Sequence, residues 1–398
     1  MLHYYRFKNF QSFTGWTKVD LTLKSQAATG GWERTDMGGQ RITTAMAVFG
    51  PNASGKTGLL KPLAFLHWFV SASFQSPPTA RLPLPRRLLD QENPVEFEVQ
   101  WADAEGCVWR YELKSEDNRV LWEALYRRQK KFVYVFKREW DSDSGSYNIA
   151  QQGFGFSPTE AKKVRQNASL ISTAAQYGVE IALEISLLGV AYNVTMLGRE
   201  HMNFEQLRQA SETFHFNSAH RQKTISLMKR WDLGLSDIII EKMKPSTSEN
   251  DKESDADNYL TLVEHTAPDG TRFKLPLWDE SNGTQSAYCL LAILLPVLEV
   301  GGVALIDELE SDLHPDLVEP LLALFHSEET NPHRAQLIFT SHTTKVLEYL
   351  SKSQVTFVEK IDCVSTAFRG DEIKGLRSDD NLRVKYETGA LGAIPTVG

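Results

Sequence analysis

The chain has 398 residues, a net charge of −8, 41% hydrophobic and 24% charged residues, which is the profile of an average globular protein and excludes a disordered or fibrous one. Its length predicts two or three structural units with material for a large core. The mild acidity argues against a basic nucleic-acid coat while leaving room for a local basic groove. Cys107, Cys289 and Cys363 stand far apart with no CxxC pair, so neither a zinc knuckle nor a disulfide framework is indicated, as befits a reducing cytoplasm.

Met1 to Phe7 lacks the apolar stretch of a signal peptide. Residues 2–23 alternate and are rich in aromatic and β-branched residues, which predicts two strands with a turn between them. The Gly-, Thr- and charge-rich stretch 24–41 predicts a loop. Thr44 to Phe49 predicts a buried strand that runs into a Gly-rich segment and then an apolar helix to about Val70. A Pro-rich connection, 76–94, leads to alternating segments at 95–101, 108–113, 120–126 and 132–136, which predict an antiparallel meander. Residues 159–232 predict a largely helical stretch, and 245–258 a polar, acidic, mobile loop. Val303–Ile306 and Gln336–Thr340 are apolar runs of the buried, parallel-sheet type. The longest apolar run, Ala287 to Val300, contains Pro296 and falls short of the roughly 18–20 residues of a bilayer span. The expectation is a soluble cytoplasmic protein with no membrane partner. Neither an internal repeat nor a heptad array long enough for coiled-coil arms is present.

Two motifs carry chemistry. Gly50-Pro51-Asn52-Ala53-Ser54-Gly55-Lys56-Thr57 matches G-x-x-x-x-G-K-[ST] at every fixed position. Glycines permit a tight loop whose backbone N–H groups face phosphate oxygens. Lys56 brings a point charge to the β/γ-phosphates, the Thr57 hydroxyl can ligand Mg²⁺, Gly58 is counted with the loop as nucleotide-binding, and the following helix aims its positive end at the anion. An ordinary Gly-rich turn is the bland alternative, and the strand–loop–helix context disfavours it. Val303-Ala304-Leu305-Ile306-Asp307-Glu308 is an apolar strand ending in two carboxylates. Asp307 is placed to hold Mg²⁺ and Glu308 to polarise an attacking water. His342 leaves the second apolar run and can sense a γ-phosphate, although a lone histidine in such a place is more often a satisfied core residue.

In this order the motifs resemble the ABC-type ATPases. Glu280-Ser281-Asn282-Gly283-Thr284-Gln285 stands where that family has its signature, opening a helix about twenty residues before the acidic pair. Ser281 and Gly283 match the signature positions that meet the γ-phosphate across a dimer, whereas Asn282 departs from the usual glycine. Glu310 to Pro315 corresponds to the D-loop and His342 to the switch histidine. For the Q-loop two places remain open, Gln100 and Arg165 to Ser169. The resemblance implies an α/β fold: an ABC-type ATPase head, with a mixed sheet carrying the P-loop, an antiparallel β-lobe and a mainly helical insertion. It divides the chain into an N-terminal lobe (1–158), the insertion (159–244) and a C-terminal lobe (245–398).

Within that superfamily the chain looks like the stand-alone ATPases of the OLD, RloA and AbiL types. The likeness rests on Phe7-Lys8-Asn9-Phe10, the P-loop phrase, Ile306-Asp307-Glu308-Leu309 leading to Leu313-His314-Pro315, Phe339-Thr340-Ser341-His342, and the ending Tyr386 to Pro395. Such proteins act in bacterial anti-phage defence beside a nuclease or toxin. The ATPase of the PARIS system, which restrains a TOPRIM-type nuclease, is one of them. The resemblance therefore implies ATP and Mg²⁺, catalysis by Glu308, His342 and Lys56, and a homodimer or higher homo-oligomer joined by sandwiched ATP. It also implies a separate nuclease or toxin effector and a phage protein as trigger. Asp379-Asp380 lacks any matching motif, so no nuclease is expected in the chain itself. The rival reading is a DNA repair or recombination ATPase of the RecF/SMC-like type. A transporter subunit and a scaffold that hardly turns over rank lower.

Arg127-Arg128-Gln129-Lys130-Lys131 reads as a basic hairpin tip that, with Arg81, Arg86 and Arg87, could face a phosphate backbone; solvated charges at a turn are the plainer explanation. The acidic run 249–257 reads as solvated. Phe10 or Phe13 is the aromatic residue suggested for an adenine pocket.

Overall fold

The computed structural model describes residues 1–394 except 29, 87–89, 91, 187, 201, 232 and 243–258; the acidic run 245–258 and Arg87 thus lie outside the described residues. The chain begins with β1 (Leu2–Lys8), β2 (Thr17–Asp20), β3 (Glu33–Thr35), β4 (Arg41–Thr43), β5 (Ala45–Phe49) and α1 (Lys56–Ala72). Next come β6 (Val95–Ala102), β7 (Val108–Ser115), β8 (Val120–Arg128), β9 (Phe132–Asp141) and β10 (Ser146–Gln151). The middle holds α2 (Pro158–Ala161), α3 (Leu170–Gln176), α4 (Glu180–Ser186), β11 (Val190–Tyr192), β12 (Val194–Thr195), β13 (Gly198–Arg199), α5 (Phe204–Phe216) and α6 (Ser218–Arg230). The last part runs β14 (Asp237–Lys242), β15 (Tyr259–Thr266), β16 (Arg272–Pro276), α7 (Asn282–Val300), β17 (Val303–Ile306), α8 (Val318–His326), β18 (Gln336–Thr340), β19 (Val355–Ile361), β20 (Val364–Arg369) and α9 (Leu382–Glu387).

The fold is mixed α/β with two principal sheets. One is a seven-stranded antiparallel sheet in the order β10-β9-β8-β7-β6-β1-β2, the other a six-stranded sheet in the order β11-β17-β18-β5-β19-β20. The second is parallel from β11 to β19, with β20 returning antiparallel. Strands β5, β17 and β18 are buried along their whole length, which is why their sequences are apolar runs without alternation. Their residues divide by the pleat. Met46, Val48, Leu305 and Ile338 pack on one side with α1 and the antiparallel sheet. Ala47, Phe49, Ala304, Ile306, Leu337 and Phe339 pack on the other with α5 to α9. Helix α1, buried on nearly every side, is thus the filling between the two sheets.

The expected meander is present as β6 to β9, and the structure extends it by β10 and joins it to β1 and β2. Strand β10 escaped the pattern because it is a half-exposed edge with small and polar residues on its open face. The stretch 24–41 is not all loop: it holds β3, which pairs with β4 just at and beyond its end. The mainly helical middle is interrupted by β11, which pairs in parallel with β17 as Val190↔Val303 to Tyr192↔Leu305 and becomes an edge of the parallel sheet. Helix α7 is the one described helix long and apolar enough to cross a membrane by length and composition. It is longer than the apolar run because Ser281 caps it, accepting a hydrogen bond from Thr284 N, and it ends at Gly301 in the left-handed region. Here it packs in the core against α5, α6 and β17.

Candidate functional site

The loop 50–57 leaves β5 at the C-terminal edge of the parallel sheet and enters α1 through Gly55, whose φ of +116° only glycine adopts readily. The loop is pressed close to its support. A Cβ at Gly50 would stand 2.2 Å from the Val358 carbonyl oxygen. Ser365 Oγ donates to the Ser54 carbonyl, and Phe13 lies under Gly55. Gly55 offers no side chain to cap α1, and the first turn carries no acid, so its leading amides are open to an anion.

Lys56 Nζ folds back on its own loop, donating to the carbonyls of Gly50 (2.9 Å) and Pro51 (3.1 Å). Burial pulls its pKa below the usual lysine range against the raising effect of Asp307, Glu308 and Glu310. Ser54 Oγ is buried with no hydrogen-bond partner among the described residues. A loop with an orphaned hydroxyl, a neighbouring ammonium and uncapped helix amides suits a polyphosphate.

Thr57 Oγ1 donates to Asp307 Oδ2 at 2.8 Å. Thr340 Oγ1, fully buried at the end of β18, donates to Asp307 Oδ1 at 2.7 Å and accepts from Glu308 N at 2.7 Å. Asn193, just past β11, grips the same strand end from the other side. Its Oδ1 accepts from Asp307 N (2.7 Å) and its Nδ2 donates to Asp307 O (3.0 Å). Glu308 itself has a φ of +52°, an unusual backbone state for a non-glycine residue and one that clusters at functional sites. Its half-exposed carboxylate lies between Arg199 (Nε to Oε2, 3.4 Å) and His342 (Nε2 to Oε1, 3.8 Å). His342 is half-exposed rather than a buried core residue, and its backbone N–H donates to Glu310 Oε1. Glu310 Oε2 is buried without a partner among the described residues.

Ser281 and Gly283 make their contacts apart from this cluster. Ser281 Oγ shares a hydrogen bond with Thr284 Oγ1 (2.9 Å), and Gly283 lies over the Asp312 carbonyl. Glu280 is held by His265, Nε2 to Oε1 at 2.7 Å.

Several expectations are corrected. Phe10 and Phe13 are fully buried in an aromatic cluster with Phe7 and Phe97, so neither offers a face to adenine. Of the Q-loop candidates, Gln100 is bound to His3 Nδ1, and within 165–169 Arg165 is held by the carbonyls of Phe74 and Ser76 and Asn167 by those of Pro77 and Ala80. The polar side chain that reaches the acid pair from an edge strand is Asn193. Sequence reasoning missed it, along with Arg199 and Thr340. A hydroxyl closing the run Leu337-Ile338-Phe339 was a readable signal for Thr340.

A family model described as "AAA domain, putative AbiEii toxin, Type IV TA system" matches residues 45–348. The chain belongs to this family. The matched span in this AAA-family chain includes the loop, the acid pair and His342. Many solved structures are similar to it, three of them as follows. The SmcHead bound to the C-winged helix domain of ScpA shares 11% identity over 92% of this chain and 96% of that one, with a TM-score of 0.48. The recombination mediator protein RecF of the RecFOR pathway appears with ATPrS (12% identity, 92% and 98% covered, TM-score 0.36) and with ATP (13%, 92% and 97%, 0.39). No curated protein matches.

Proposed function

We propose that this protein binds ATP with Mg²⁺ at residues 50–58, hydrolyses it, and works as a nucleotide-dependent switch on a separate effector. The observation that carries the reading is the 2.8 Å hydrogen bond from Thr57 to Asp307, which closes the loop onto the acid pair across 250 residues of chain. Thr57 and Asp307 would hold Mg²⁺, which supplies charge neutralisation on the phosphates. Lys56 leaves its loop carbonyls to bind the phosphate oxygens. Glu308 orients and polarises the attacking water, and His342 acts at the γ-phosphate. Ser281 and Gly283, set apart on the capped end of α7, complete the site of a second copy, so the active unit is a homodimer or an assembly of dimers in the cytoplasm. The domain division into two lobes and an insertion follows from the same reading.

The family description names a putative toxin of a type IV toxin–antitoxin system, which supports a role in such a system; the place in anti-phage defence beside a separate nuclease or toxin, with a phage protein as trigger, rests on the resemblance of the motifs alone. The decisive experiment compares the wild type with Lys56→Ala and Glu308→Gln. Lys56→Ala should lose ATP binding. Glu308→Gln should bind ATP, fail to hydrolyse it and accumulate as a dimer by light scattering, and neighbouring gene products that co-purify should differ between the two variants. Wild-type turnover in Glu308→Gln would overturn the assignment.

A second reading, a DNA-directed ATPase, draws on the β8–β9 tip. Arg127, Arg128, Lys130 and Lys131 are exposed there, and Arg110 stacks on Tyr126 and Phe132. Arg86 is already paired with Asp117, so the basic surface is smaller than the sequence suggests. DNA-stimulated turnover with a steep salt dependence would favour this reading.

A further inference from the structure

We propose that Arg199 is a positioning residue for hydrolysis, one that aims the Glu308 carboxylate. This rests on the reading of Glu308 as the group that activates water.

The mount of Arg199 is built for aim. Residues 193–199 leave β11, turn through the two-residue strands β12 and β13, and return; Val194↔Arg199 and Thr195↔Gly198 pair across this hairpin. Three contacts fix it. Asn193 exchanges two hydrogen bonds with the backbone of Asp307. Lys61, buried one turn beyond Thr57 on α1, donates from Nζ to the Met196 carbonyl at 3.0 Å. Glu200 N donates to the Asn193 carbonyl at 2.8 Å. One short segment is therefore stitched to the metal-side acid, to the P-loop helix and, through Arg199, to Glu308.

Energetics separate aim from stability. The Arg199 side chain is 19% exposed and that of Glu308 41%, and an ion pair this open adds little to folding. What it does constrain is a carboxylate on a left-handed backbone residue, which has no hydrogen bond of its own to fix its rotamer among the described residues. A misplacement of about 1 Å in a reacting group costs up to roughly a hundredfold in rate. The pair uses Nε, and among the described residues the rest of the guanidinium makes no hydrogen bond, so an incoming phosphate can share Arg199 without breaking its hold on Glu308.

The test uses full-length protein. Arg199→Ala should lower kcat by about 10- to 100-fold while the Kd for a fluorescent ATP analogue stays within about threefold of wild type. Arg199→Lys should recover part of the loss. Added methylguanidinium should restore turnover to Arg199→Ala and leave Glu308→Gln inactive, a result that a purely structural arginine does not give. In nucleotide-free protein, amide exchange over 194–199 should rise equally in Arg199→Ala and Glu308→Ala. Two results overturn the proposal alone: Arg199→Ala turning over at the wild-type rate while Glu308→Gln is dead, or Arg199→Ala losing ATP affinity and kcat together with no rescue. Full turnover in Glu308→Gln removes the reading of Glu308 and this proposal with it.

Discussion

Replacing Thr340 by valine keeps the shape of a fully buried side chain and deletes one oxygen that makes two hydrogen bonds of 2.7 Å. The bond to the Asp307 carboxylate, itself 3% exposed, is charge-assisted, and losing such a bond costs about 1.5–3 kcal/mol. The Glu308 amide loses its acceptor too. It is only partly buried, so water offsets part of that loss and roughly 0.5–1 kcal/mol remains. The sum is about 2–4 kcal/mol. Urea unfolding should show a lower midpoint with an unchanged slope. Turnover at saturating ATP should fall further than stability predicts, by about 10- to 100-fold, because both acids lose their common anchor. Thr340→Ser keeps the oxygen and gives up a methyl group, so it should stay within about 1 kcal/mol of wild type. If Thr340→Val unfolds at the wild-type urea midpoint and turns over normally, the claim that this hydroxyl organises the acid pair is wrong.

Other consequences are open to measurement. Gly50→Ala forces a methyl group to 2.2 Å from a backbone oxygen, so it should abolish nucleotide binding by titration and lower stability by about 1–3 kcal/mol. Glu123 accepts hydrogen bonds from Tyr111, Ser169, Leu170 and Arg138, with the ion pair wholly buried; Glu123→Ala should cost about 3–5 kcal/mol in denaturant unfolding by stranding the guanidinium. At His265, burial opposes the charge, but bonds to Glu280 and to the Gly234 carbonyl outweigh it and raise the pKa above its ordinary 6.5. The stabilisation from that pair is therefore full below pH 6.5 and disappears as pH rises through the raised value. Wild type should lose thermal stability across that window relative to His265→Ala, and a flat difference between the two would count against the pair.

What could be read in the sequence was whatever is contiguous. The loop 50–57 and the pair Asp307-Glu308 are words in the chain, and the buried strands that deliver them are unbroken apolar runs. Partners contributed by short elements could not be read. Strand β11 has three residues, too few to show a period, so Asn193 and the hairpin carrying Arg199 sat unmarked inside a stretch of helical character. Phe10 and Phe13 were misjudged for want of any signal. An adenine pocket has no contiguous signature, so an aromatic near the N-terminus was all the sequence offered, whereas the turn after β1 sends both rings inward against Phe7 and Phe97.

The bond between Thr57 and Asp307 also has a meaning in time. A ribosome adding about 5–20 residues per second delivers the acid pair roughly 12–50 s after the loop, given the 250 residues between them. Strands β6 to β10 pair with their immediate neighbours and can close as they emerge. Strand β5 cannot, because its partners β18 and β19 follow it only after all of β6 to β17. During synthesis the nascent chain thus carries the loop 50–57 with no acid pair to meet it and an apolar strand with no parallel sheet to join until β17 to β19 have emerged.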